Sequence, residues 1–125
     1  MVKKWRDFRE LRIWVKAMDL AVEIRRFLKV FPRDEIYGQV SQIKRSSSSV
    51  YANIAEGSLK RTSKDFVKYL YNALGSVAET QSHLIFCSRI GFVCDKDVKK
   101  LEGDYDELKK MIGRFIDYIS DEDIK

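Results

Sequence analysis

Residues 42–66, QIKRSSSSVYANIAEGSLKRTSKDF, decide the fold. Across them and just before them, Val40, Ile43, Ser47, Val50 and Ile54 recur at steps of three and four. That spacing puts them on one helical face, with Ser47 inside an otherwise apolar row. Gly57 follows where the row stops. Lacking Cβ, it suits the left-handed conformation of a helix C-terminus. Thr62-Ser63-Lys64-Asp65 then reads as a capping box that opens the next helix. The stretch is a helix, a basic turn and a helix.

Downstream, Phe66, Leu70, Ala73, Val77, Thr80, Leu84 and Cys87 alternate four and three, a heptad stripe that stops at Gly91. Gly75-Ser76 beside it, with Ser46 to Ser49 on the preceding helix, predicts close approach of the two axes. Asp95 reads as the cap of a last helix whose stripe is Val98, Leu101, Tyr105, Leu108, Ile112, Phe115 and Ile119. Upstream, after Trp5 and Phe8, the stripe Trp14, Ala17, Ala21, Ile24, Leu28 and Phe31 ends at Pro32, which cannot continue a helix. Asp34 and Glu35 suit the positive end of the following helix, inside which Gly38 falls. The predicted helices span about 9–31, 34–56, 63–90 and 96–119, with Ser120 to Lys125 frayed. Short links between long amphipathic helices favour antiparallel neighbours. The fold class is all-α, an antiparallel up-down-up-down four-helix bundle forming one domain over 1–125.

One proline and six glycines in 125 residues, with 45% hydrophobic and 34% charged side chains, agree with packed amphipathic helices. No uncharged apolar run approaches the roughly 18 residues of a membrane span, and MVKKWRDFRELR lacks a signal-peptide core, so a cytoplasmic chain with no membrane partner is expected. Cys87, Cys94 and the single histidine, His83, make neither a disulfide framework nor a metal site, and no cofactor is expected.

Charge divides the chain. Residues 1–64 hold 15 Lys and Arg against 7 Asp and Glu, whereas residues 65–125 hold 9 against 12. Lys44 and Arg45 on the second helix, Lys60 and Arg61 in the turn, and Lys64 and Lys68 on the third read as one basic patch, about two helical turns in extent. Such a patch attracts polyanions, and it is equally the solvated face of many bundles. Val15, Met18, Phe27, Tyr51, Tyr69, Leu74, Ile85 and Phe86 lie off the main stripes, which predicts self-association.

NIAEG at Asn53–Gly57, Gln42 and Arg45 before it, and KRTSKDF with Gly75-Ser76 and Glu79 after it resemble the four-helix-bundle proteins known as 23S rRNA-intervening-sequence proteins. Leu11, Trp14, Ala17, Phe31-Pro32 and Glu35 to Gly38 extend the resemblance, which fades after Gly91-Phe92. The chain departs from the family at His83, where a glutamine is frequent, and at Leu59, which replaces a frequent glycine. The resemblance implies a four-helix bundle and a homopentamer. It also implies kinship with accessory proteins of diversity-generating retroelements, which bind nucleic acid and a reverse transcriptase.

Asn53 lies one turn after Ser49 and Glu56 three residues further on the same helical face, an arrangement that could bring an amide, a carboxylate and a hydroxyl together. Acid–base chemistry needs a second titrating partner in a dry cleft, and His83 is on another helix. Asn53, Glu56 and Gly57 are therefore read as a structural motif that satisfies donors around the 57–63 turn, and no catalytic residue is assigned. The turn precedes a helix N-terminus but lacks the strand and second glycine of a P-loop. Two readings remain: a nonenzymatic oligomer that binds RNA or DNA through Lys and Arg without strong sequence specificity, and a protein-interaction scaffold or accessory subunit, for example of a reverse transcriptase.

Overall fold

The computed structural model describes residues 7–35 and 38–124; Trp5, Ile36, Tyr37 and Lys125 lie outside the described residues. Among these, four α-helices follow in order: α1 (Arg12–Phe27), α2 (Gln39–Ser58), α3 (Ser63–Arg89) and α4 (Asp95–Ile124). Short 3-10 turns occupy Phe8–Glu10, Leu28–Val30 and Arg33–Glu35. Cross-helix contacts give the directions. On α2 and α3, Ser46 meets Thr80 and Ser49 meets Ser76, so numbering rises on one helix as it falls on the other. Phe66 packs edge-on against Phe115 at one end of the α3–α4 pair, and Ser88 bonds Asp95 at the other. The α2–α3 and α3–α4 pairs are therefore antiparallel, and the four helices share one core, consistent with the expected bundle.

The stripes supply that core. Every member of the α2 row, Ser47 included, and every member of the α3 heptad is buried. At about 1.5–3 kcal/mol for each fully buried Leu, Ile or Phe, these rows dominate the energetics of the bundle. On α1, Ile13 and Leu20 join the core, while Trp14 turns half-buried and edge-on to Phe8. On α4, Ile116 takes the buried position and Phe115 is half-buried beside Phe66. Ile119 is buried as well, and the helix carries on through Ile124 rather than fraying from Ser120.

Glycines and caps revise the boundaries. Gly91 ends α3 as anticipated: it is left-handed (φ 82°), its N–H bonds Ser88 O, and Phe92 N–H bonds Cys87 O. This double closure satisfies the last carbonyls of α3. Gly57, in contrast, is the last but one residue of α2, which runs on to Ser58, and it is not left-handed. An ideal Cβ there would lie 2.6 Å from Tyr69 Cβ and 2.8 Å from Phe66 Cδ1, so the glycine serves close packing rather than chain reversal. Gly38 is not inside a helix but caps the start of α2, with φ −106° and ψ −112°. Asp95 is likewise the first residue of α4 rather than its cap. Gly75 faces open space, so it does not bring α2 and α3 together.

Candidate nucleic-acid interface

The serine run holds α2 against α3. Ser46 Oγ accepts from Thr80 Oγ1 at 2.8 Å, and Ser49 Oγ accepts from Ser76 Oγ at 2.9 Å. Ser47 Oγ donates back to Ile43 O at 2.7 Å, which explains how a hydroxyl survives in the apolar row. Asn53 Nδ2 donates to Ser49 O (2.8 Å) and to Ser49 Oγ (2.9 Å). Further along the seam, Arg45 Nη2 donates to Gln42 Oε1 and to Glu79 Oε2, and His83 Nδ1 lies 3.0 Å from Gln39 Oε1. Gln42, Arg45 and Glu79, scattered in sequence, are one contact set here, and Ser76 bonds Ser49 on the same seam. Glu56 departs from expectation: it is exposed, and its carboxylate has no hydrogen bond or ion pair with the described residues.

That contrast gives a test. Asn53→Ala should lower stability by about 1 kcal/mol, the net value of a hydrogen bond, and Glu56→Ala should stay within about 0.5 kcal/mol of the parent. Urea midpoints measure both. A larger loss for Glu56→Ala than for Asn53→Ala would contradict the structural assignment.

At the α2–α3 turn, Gly57 lets Phe66 and Tyr69 close against α2, and Thr62 Oγ1 caps α3 by accepting from Asp65 N–H at 3.1 Å. Lys60 Nζ lies 4.9 Å above the Tyr69 ring centroid, so the ring fixes its stem at the rim. Arg61, Lys64 and Lys68 are exposed. Glu56 and Asp65 are the carboxylates of this stretch, and neither forms an ion pair with the four cations.

The six cations singled out in the sequence do not form one patch. Lys60, Arg61, Lys64 and Lys68 group at the turn, but Arg45 is spent on Glu79. Lys44 points to the α1 side, about 21 Å of helix before Ser58. There it lines a cavity of about 400 Å³ with Arg25, Lys29 and Arg33. Sequence reading missed these three, although their spacing of four residues, free of any carboxylate at the same phase, was visible.

Among the described residues, four of the six cations of α4 are ion-paired, whereas Lys96 and Lys110 are not. On α4, Lys99 pairs with Asp95, Lys109 with Asp106, Arg114 with Glu107, and Lys100 with both Glu23 and Asp104. Ser88 and Lys99 hold the Asp95 carboxyl below its usual range, Gln81 and Lys109 do the same for Asp106, and Glu23 with Asp104 raises the Lys100 ammonium. Among the described residues no three His, Cys, Asp or Glu side chains gather as a metal site would require, and no helix is long and apolar enough to cross a membrane.

Comparisons agree with the bundle. The family model described as 23S rRNA-intervening sequence protein matches residues 9–114. Among solved structures, a protein with unknown function from the S23 ribosomal protein family of Bacteroides thetaiotaomicron is similar, at 26% identity and a TM-score of 0.77. The match covers 83% of this chain and 97% of that one. No curated protein matches.

Proposed function

The chain belongs to the 23S rRNA-intervening sequence protein family, and from that premise we propose that it is a nonenzymatic nucleic-acid-binding bundle working as a homo-oligomer. One observation carries the reading: Lys99, Lys100, Lys109 and Arg114 on α4 are ion-paired, yet all four cations grouped at the turn, Lys60, Arg61, Lys64 and Lys68, have no carboxylate partner among the described residues. Unneutralised cations, three exposed and Lys60 half-buried against Tyr69, suit phosphates, and nothing in their arrangement reads base edges. An oligomer would repeat the cluster on each subunit, so modest attraction at one site adds along a strand through effective concentration. Exposed Val15, Val22 and Phe86 supply apolar surface for such contacts. Six others of the off-stripe residues, Met18, Phe27, Tyr51, Tyr69, Leu74 and Ile85, are half-buried within the chain itself.

The test is a salt titration with mixed-sequence single-stranded RNA and DNA, on protein whose mass is measured by light scattering. Affinity should fall with a log-log slope of about −0.7 per contacted phosphate and differ little between sequences. No binding at low salt would sink the nucleic-acid reading, and a monomer mass at micromolar protein would sink the oligomer.

A second reading, a protein scaffold, draws on the outward face of α3. Tyr71, Gly75, Ala78, Ser82 and Phe86 are exposed and uncharged on an otherwise charged molecule. A partner protein held there, with no strand bound at any salt, is its signature.

A further inference from the structure

The cavity between the end of α1 and the first turns of α2 differs in kind from the turn cluster. Its four cations come from three regions: Arg25 from α1, Lys29 and Arg33 from successive 3-10 turns, and Lys44 from α2. Among the described residues none of the four is ion-paired and no carboxylate lines the cavity. Four positive charges within about a Debye length repel one another unless an anion joins them. Cations near the C-terminus of α1 are favoured by its carbonyls, which accounts for Arg25 and Lys29. It does not account for Arg33 or Lys44. Lys44 stands near the positive end of α2, a helix with no carboxylate in its first turn and no side-chain cap from Gly38. The floor is apolar, formed by buried Phe31 and Val40 with exposed Pro32.

We propose that this cavity binds the phosphomonoester of a nucleotide, presented either by the end of a nucleic-acid strand or by a free mononucleotide. A phosphomonoester carries about −1.5 to −2 charges and three acceptor oxygens, against a single negative charge on an internal phosphodiester. Four clustered cations match the higher charge, and the apolar floor takes the adjoining sugar or base. The exposed turn cluster suits the interior of a strand. The strand-end source rests on the nucleic-acid reading of the chain, whereas the cavity's preference for a phosphomonoester stands without it.

The experiment compares a 5′-phosphorylated single strand with the same strand ending in a hydroxyl, alongside AMP and inorganic phosphate. Anisotropy reads the strands and calorimetry the small molecules. The phosphorylated strand should bind about tenfold more tightly, as charge-assisted hydrogen bonds allow. Arg33→Gln with Lys44→Gln should erase that difference and leave the hydroxyl strand unchanged; both side chains are exposed, so the thermal midpoint should hold. AMP that binds and displaces the phosphorylated end also supports the site. AMP binding that depends on Lys44, with no strand bound, leaves the site standing, makes the free nucleotide its ligand and removes the nucleic-acid reading. Equal affinity of the two strands without AMP binding overturns the site while leaving strand binding intact. A preference that survives the double substitution overturns it too, and failure of every probe overturns both ideas.

Discussion

Gly57→Ala is expected to destabilise the protein by about 2 kcal/mol, although alanine is the better helix former by about 1 kcal/mol. The steric term wins because the new methyl would meet Tyr69 Cβ at 2.6 Å. That atom is fixed to the α3 backbone, so it cannot swing aside as a side-chain tip would. Relief requires α2 and α3 to part, which also stretches the Ser46–Thr80 and Ser49–Ser76 bonds. Gly103→Ala is the control. Gly103 lies exposed within α4, and a Cβ added there would meet nothing within 4 Å, so alanine should stabilise by about 0.5–1 kcal/mol. Urea unfolding of the two variants decides. A Gly57→Ala protein at least as stable as the parent would refute the close-packing role of this glycine.

The second large effect concerns binding. Lys60→Glu with Arg61→Glu should weaken single-strand affinity roughly 10- to 100-fold at low salt and flatten the log-log salt slope by about 1.4, two contacts' worth. The loss should be uniform across sequences, because phosphate contacts carry no base information. Stability should hardly change. Arg61 is exposed and Lys60 contributes one cation–π contact with Tyr69 at the rim of the fold. Sequence-selective weakening would point to base readout instead.

How far the sequence alone reached depends on whether a feature is local. The α3 heptad from Phe66 to Cys87 and the closure at Gly91 were legible because periodicity and a left-handed glycine act within one helix. Gly57 was misread because its neighbours are Phe66 and Tyr69 on the facing helix, and a glycine required for close approach looks in sequence like one that ends a helix. Gly38 erred the other way: it starts α2, where an acidic pair upstream had placed the start earlier. The basic patch failed for a geometric reason. Lys44 and Arg45 are adjacent in sequence but about 100° apart around α2, so one meets the α1 side and the other Glu79, 34 residues away. Charge counted along a chain does not say which carboxylates fold back to neutralise it.

The central claim is that location, not net charge, makes the unpaired cations a binding surface. Its most direct test is anisotropy of one labelled mixed-sequence single strand with three proteins: the parent, Lys60→Glu/Arg61→Glu, and Lys99→Glu/Lys109→Glu. The two variants have the same net charge, but Lys99 and Lys109 are already paired with Asp95 and Asp106. Binding should weaken roughly 10- to 100-fold in the turn variant and stay nearly parental in the α4 variant. Equal losses in both would show that overall charge alone attracts the strand, and would contradict the claim.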